Sequence, residues 1–320
     1  MKSSPDIIKA ELGIFEQVFD RSVKSNVPLL DRIMRYIVRT RGKQMRPMFV
    51  ILSARLFGDA VEATYRAASL VELLHTATLV HDDVVDGSTE RRGFFSVYAL
   101  WKSKVSVLVG DYLLAKGLLL SLDNGDFEIL RIMSRAVKLM SEGELMQMEK
   151  SRLLDMDEES YFTIIRNKTA SLLAAACASG AYSTTGDPEK AERMREFGEW
   201  VGIAFQIRDD LFDYGSEEVG KPTGNDIRER KITLPLIHTL ANSDKRTRRE
   251  LLHILRNGNR DKVKVRHVIE EVHRQGGIEY ARARMEEFRN LALDRLHEFG
   301  ASPIRQALED LVRYTTDRKR

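Results

Sequence analysis

Six aspartates in two copies of one pattern carry the chemistry this sequence can offer. Asp82-Asp83-Val84-Val85-Asp86 closes an apolar-periodic run that reads as one helix from Ala60 to Val85. Asp209-Asp210-Leu211-Phe212-Asp213 closes a second such run, opened by the cap Asp187-Pro188. In each copy the first and last aspartates stand four residues apart, on one face of a helix. Like charges at that spacing repel, so a cation belongs between them. Two clusters of oxygen donors suit Mg²⁺, which takes one or two carboxylates, keeps waters and fills its other positions with substrate phosphates.

Cationic and polar residues punctuate the same helices. In Gly42-Lys43-Gln44-Met45-Arg46-Pro47, Gly42 permits a tight turn and Pro47 suits a first helical position. Lys43, Arg46 and the amides of a helix start make an anion site, with a plain basic loop as the alternative. His75, Thr78, Asp82 and Asp86 fall on one stripe at spacings of three, four and four. A flexible loop follows, and Arg91 and Arg92 on it are placed to grip diphosphate oxygens. A helix over Glu159–Ser179 carries Lys168 and Thr169, both able to donate to a phosphate. On the second acid-bearing helix Gly198, Gly202, Gln206, Asp209 and Asp213 form a matching stripe. Each helical glycine costs roughly 1 kcal/mol against alanine, which close helix contact or room for a ligand would justify. Lys221 lies in the following loop, and Lys231 opens the next helix. Gly143-Glu144-Leu145-Met146-Gln147 sets small and polar residues into an otherwise apolar face.

Helices must position all of these. Apolar residues recur at three and four almost everywhere, Gly and Pro are sparse, and alternating β-branched runs are missing, so the fold class is all-α. No linker-like or low-complexity stretch divides the 320 residues. If the two acid clusters share one site, a single domain over 1–320 is expected. The 51 basic and 48 acidic residues are interleaved along helix faces, which argues against a nucleic-acid partner. The single cysteine, Cys177, rules out an internal disulfide and fits a reducing compartment. The beginning of the chain lacks a signal-type apolar core, and the apolar stretches near 105–122 and 171–182 read as no transmembrane segment. A cytoplasmic location is expected.

Taken together, these residues resemble the trans-isoprenyl diphosphate synthases, the head-to-tail prenyltransferases, over nearly the whole chain. Gly42-Lys43-Gln44-Met45-Arg46-Pro47 is similar to that family's G-K-x-x-R-P motif. Asp82–Asp86 with Arg91-Arg92-Gly93 resembles its first aspartate-rich motif. Lys168-Thr169, Phe205-Gln206, Asp209–Asp213 and the Lys221/Lys231 pair follow in the family's order. The resemblance implies the isoprenoid synthase fold, one bundle of mostly antiparallel helices around a deep central cavity, in a homodimer. It implies three Mg²⁺, with Mn²⁺ as a substitute, held by Asp82, Asp86 and Asp209, while Asp83, Asp210 and Asp213 complete the clusters. The allylic diphosphate would meet Arg91, Lys168, Thr169, Gln206, Lys221 and Lys231. Isopentenyl diphosphate would meet Lys43, Arg46, His75 and Arg92.

Product length follows from the first acid-bearing helix. The growing chain would run toward its N-terminus past Thr78 and Ala77, where short-chain members carry aromatics. An isoprene unit spans on the order of one helical turn, about 5 Å, so two small residues leave room for several units. A heptaprenyl or octaprenyl product for quinone side chains is expected, one that partitions into membrane, with Met133, Val137 and Met140 as guesses for the cavity floor. The alternatives are a short-chain farnesyl or geranylgeranyl synthase, a class I terpene cyclase and a non-catalytic partner subunit.

Overall fold

A computed structural model describes residues 4–40, 42–215 and 224–317. Its helices are α1 (Ser4–Ile7), α2 (Lys9–Ser22), α3 (Pro28–Arg39), α4 (Met45–Arg55), α5 (Glu62–Val85), α6 (Val97–Leu122), α7 (Phe127–Leu153) and α8 (Glu158–Ile165). After a π-helical turn at Arg166–Ala170 come α9 (Ser171–Thr185), α10 (Pro188–Phe212), α11 (Asn225–Arg228) and α12 (Leu234–Asn242). The last four are α13 (Lys245–Asn257), α14 (Lys262–Arg274), α15 (Gly277–His297) and α16 (Pro303–Asp317). The fold class is all-α. Among the described residues the only sheet is a two-residue hairpin, β1 (Glu90–Arg91) with β2 (Phe94–Phe95).

The chain divides into two compact units. In the unit comprising Met1–Val137, Leu172–Gly198 and Phe299–Leu311, α5 packs against α2, α4 and α6. Helix α5 is buried along Ala67–Leu74, and α6 approaches it closely where glycine permits. Gly110 faces the His81 ring, and a Cβ at Gly117 would lie 2.9 Å from Leu70 Cδ1. Helix α6 is long and apolar enough to cross a membrane by length and composition, and the only such helix among the described residues. One face of it packs on α5, and only a third of its apolar stretch is buried.

The other unit comprises Lys138–Ser171, Glu199–Glu298 and Val312–Arg320. Its core joins Ile203, Ile207, Leu234, Leu251, Val268 and Ala281, contributed by α10 and α12 to α15. The amphipathic helices beyond Leu234 therefore build the floor under the second acid cluster.

Three local expectations are corrected. Helix α4 starts at Met45 with Gln44 as a left-handed cap, so Pro47 is the third helical residue; it costs nothing there, because the first four amides have no intrahelical acceptor. The flexible loop after Asp86 is an ordered hairpin. The helix across residues 159–179 is interrupted at Arg166–Ala170, where one wide turn re-aims the side chains.

Candidate active site

The first acid cluster splits between two environments. The amide of Asp86 donates to the Asp82 carbonyl at 2.8 Å in the last turn of α5, which leaves Asp82 half-buried and Asp86 exposed on one side. Asp83 turns inward and is 2% exposed. Arg91 Nε and Nη2 each lie 2.7 Å from its Oδ1.

That ion pair roots the hairpin. Arg92 and Gly93 form its tip with φ of 55° and 78°, the mirror-type two-residue turn that matches strand twist. Ser96 Oγ donates to the Ser88 carbonyl at 2.6 Å, and Tyr36 Oη donates to the Phe95 carbonyl at 2.6 Å. The Arg92 guanidinium lies on Gly42, where a Cβ would come within 2.7 Å of Cζ. His75, Asp83, Arg91, Arg92 and Glu72 border one small cavity. Burial pulls the His75 pKa well below its ordinary value, helped by Arg46, Arg92 and Arg91, so the ring is neutral. Burial also lowers the Arg46 pKa against the pull of Glu72. Three arginines gathered around a buried, neutral histidine suit an anionic ligand.

In the second unit, the π-helical turn sets Lys168 and Thr169 into a cavity of 180 Å³ with Gln206, Asp210, Asp226 and Lys231. Gly143 lets the turn's backbone pass, since a Cβ there would sit 2.7 Å from Lys168 N. Gly202 does the same from α10, at 2.5 Å from Ala170 Cα. Lys168 Nζ pairs with Glu144 at 2.5 Å and donates to Gln147 at 3.0 Å. Thr169 donates to Gln206 Oε1 at 2.8 Å, Gln206 Nε2 donates to Asp210 Oδ1 at 2.8 Å, and Tyr161 donates to Asp210 Oδ2 at 2.6 Å. Burial, then the charge of Asp226, pushes Asp210 up to about 8. Burial and Asp213 push Asp226 to about 7. Asp213 accepts the Asn225 and Asp226 amides at 2.8 and 2.9 Å, holding the start of α11, and Asp209 is exposed.

The structure thus gathers Lys168, Thr169, Gln206, Asp210 and Lys231 in one cavity, and His75, Asp83, Arg91 and Arg92 in another. Lys43 is exposed beside Gly42; Ala77 is fully buried; Thr78 is half-buried and donates to the His75 carbonyl at 2.9 Å. Lys221 lies outside the described residues. Sequence reasoning missed Tyr161, which carries no local signal. It also passed over Asp226, although an acid directly after a glycine turn that follows an aspartate cluster is a usable cue. Glu144 and Gln147 were visible only as polar residues on an apolar face.

No three acid, histidine or cysteine side chains form a ready metal-ligand set among the described residues. Asp82 and Asp86 nevertheless fit a hard divalent ion, because such ions accept two carboxylates and take their other ligands from water and phosphate.

Acids paired at helix ends, beside cavities lined with lysine, arginine and glutamine, give an all-helical protein sites suited to a divalent ion and an anionic ligand. The sequence profile of the polyprenyl synthetase family matches residues 27–272, so the chain belongs to that family and is a prenyltransferase. Octaprenyl diphosphate synthase of Escherichia coli is 34% identical over 99% of this chain and 97% of its own length. A short chain isoprenyl diphosphate synthase of Methanothermobacter thermautotrophicus is 33% identical over 98% of each. Among solved structures, a decaprenyl diphosphate synthase of Rhodobacter capsulatus matches with TM-score 0.93 at 33% identity, over 99% of this chain and 98% of that one. A polyprenyl synthase of Caulobacter crescentus, complexed with calcium and isoprenyl diphosphate, matches with TM-score 0.90 at 33% identity, over 99% and 97%. The fold is therefore that of the all-α isoprenyl diphosphate synthases, and the family depends on divalent metal.

Proposed function

We propose that this chain is an all-trans polyprenyl diphosphate synthase. It condenses isopentenyl diphosphate head-to-tail with geranyl or farnesyl diphosphate and stops at a medium or long chain, heptaprenyl or octaprenyl, for quinone side chains. The observation that carries this reading is the pair of cation-lined cavities, one beside each aspartate cluster. Both clusters serve one allylic diphosphate, and the whole chain works as one domain.

Asp82, Asp86 and Asp209 would hold Mg²⁺, three ions in all, and the bound metal would supply positive charge against the diphosphate as it leaves. Lys168, Lys221, Lys231 and Arg91 add fixed positive charge around the same oxygens, and Thr169 and Gln206 donate hydrogen bonds. Asp83, Asp210 and Asp213 act through their partners by holding Arg91, Gln206 and α11. Departure of the diphosphate leaves an allylic cation. Lys43, Arg46, His75 and Arg92 hold isopentenyl diphosphate so that its double bond attacks that cation, and the proton lost afterwards goes to the departed diphosphate. No protein nucleophile takes part, and apolar walls keep water from the cation.

The chain grows past Thr78 and Ala77. A stripe of exposed leucines on α6, Leu108, Leu118, Leu119 and Leu122, supports a homodimer. The enzyme is cytoplasmic and hands an apolar product to the membrane.

The test is incubation of purified protein with Mg²⁺, farnesyl diphosphate and labelled isopentenyl diphosphate, followed by chromatography of the products. Heptaprenyl or octaprenyl diphosphate is expected. Products ending at farnesyl or geranylgeranyl support the short-chain reading, for which the archaeal relative speaks. A cyclised hydrocarbon, or no elongation at all, overturns the assignment.

A further inference from the structure

On the unit that carries the first acid cluster, away from both cavities described above, α3 and the start of α6 enclose an open concavity of 740 Å³. Arg32, Arg35 and Arg39 line it at spacings of three and four, so they share one face of α3. Its only carboxylate is Asp31, which Arg35 already pairs, so the lining carries a net charge of about +2. Trp101 closes the far wall, edge-on to Tyr36 at 5.4 Å between ring centroids.

The rim of this concavity is apolar and unusually open. Tyr36 ties it to the hairpin through the Phe95 carbonyl, and both hairpin phenylalanines face solvent, Phe94 at 52% and Phe95 at 61% exposure. Val27 and Leu29 flank Pro28 at the opposite end, 57% and 48% exposed. Leu100 adds to the rim beside Trp101, and Lys102 and Lys104 just beyond it are exposed cations. Tyr112 of α6 donates to the Lys24 carbonyl at 3.0 Å, which fixes the connection before α3 against α6. The patch is thus built on anchored elements.

We propose that this face docks on an anionic lipid bilayer, with the arginines and lysines among the headgroups and Phe94, Phe95, Val27, Leu29 and Trp101 in the interfacial layer. Aromatic rings with an apolar body, ringed by arginine and lysine, are the side chains that membrane interfaces select. Charge complementarity argues for lipid over a second copy of this chain, because an isologous contact would set arginine against arginine. The docking itself does not depend on the reaction. Its use, delivering an apolar product to the membrane, rests on the prenyl-transfer reading.

The experiment is flotation of the purified protein, without substrate, on vesicles of neutral phosphatidylcholine and on vesicles containing 30% phosphatidylglycerol (roughly the anionic share that gives a strong surface potential). The protein should float with the anionic vesicles and stay behind with the neutral ones, and high salt should release it. Each cation near such a surface contributes a factor of about five, so Arg32→Gln with Arg39→Gln should weaken binding about 25-fold while leaving prenyl transfer in detergent unchanged. Phe94→Ser with Phe95→Ser should weaken it too, with an unaltered circular dichroism spectrum. Equal binding to both vesicle types, or full binding by the arginine variant, overturns the proposal. So does a change in sedimentation of the arginine variant without loss of vesicle binding, which would make this face a contact between copies.

Discussion

Arg91 reaches Asp83 with two nitrogens, both 2.7 Å from one carboxylate oxygen, across the bend that joins α5 to the hairpin. The middle acid of the first cluster is therefore occupied by the loop, while Asp82 and Asp86 keep the open side of the helix end. Asp83→Asn retains the size but loses the charge that orients Arg91. We expect a loss of about 1–3 kcal/mol of stability and a rise in the KM for the allylic diphosphate larger than the fall in kcat. Asp82→Ala should show the reverse, with turnover down about a thousandfold and a melting temperature equal to or above that of the parent, since a like-charge pair has been relieved. Steady-state kinetics with calorimetry on the two variants checks both.

Gly42 is the floor on which Arg92 rests. A methyl group there would meet the guanidinium carbon at 2.7 Å, so in Gly42→Ala the arginine must tilt away. The fold should survive, because the obstructing group is the end of a flexible side chain. Isopentenyl diphosphate should bind about tenfold more weakly, the loss of one charge-assisted hydrogen bond, while affinity for the allylic diphosphate stays within twofold. Equal weakening of both substrates would dissociate Arg92 from the isopentenyl site.

Asp210 makes metal-free stability depend on pH in an unusual direction. Its folded pKa of about 8 stands above the ordinary carboxylate value, so protonation favours the folded state. That contribution is complete below about pH 4 and is lost as the pH rises through about 8. Asp226, at about 7, titrates with it, so two coupled steps are expected. Asp210→Asn imitates the protonated acid: its oxygen still accepts from Gln206, and its NH2 donates to the Tyr161 hydroxyl in place of accepting from it. In chelator it should melt with the parent near pH 4 and be more stable at pH 9 by on the order of 3 kcal/mol. Parallel melting curves across that range would mean that the acid is ionised when folded.

Lys102 interrupts α6 with φ 68° and ψ 170°, a conformation that belongs almost wholly to glycine. Lys102→Gly should stabilise the protein by about 1–3 kcal/mol, measured by denaturant unfolding. No gain would place the backbone of that residue in the ordinary helical range.

The acid pairs were legible because a helix converts a spacing of four into one face, whatever surrounds it. Their cationic neighbours were legible as residue types, and His75, Arg91 and Arg92 do border one cavity. What sequence could not supply was the conformation between these points. Nothing in Asn167-Lys168-Thr169 announces a π-helical turn. Its cause is packing, since Gly143 on one side and Gly202 on the other admit backbone where ordinary residues would not. The hairpin hid behind Gly87 and Gly93, which read as freedom, while the order comes from Tyr36 and Asp83, 59 and 8 residues away in sequence from the groups they hold. Long-range partners leave no local trace.

The wide turn at Arg166–Ala170 accommodates one more residue than an α-helical turn. Removing a single residue there would let an ordinary turn take its place with the flanking segments nearly in register, since four α-helical residues turn about as far as five in the wide turn. The alanine-rich segment that follows would keep its seat, and Lys168 and Thr169 would lose the extra residue that sets both into the cavity. Length at this point is thus a constraint of its own. Side chains on either side can be exchanged more readily than the number of residues between them.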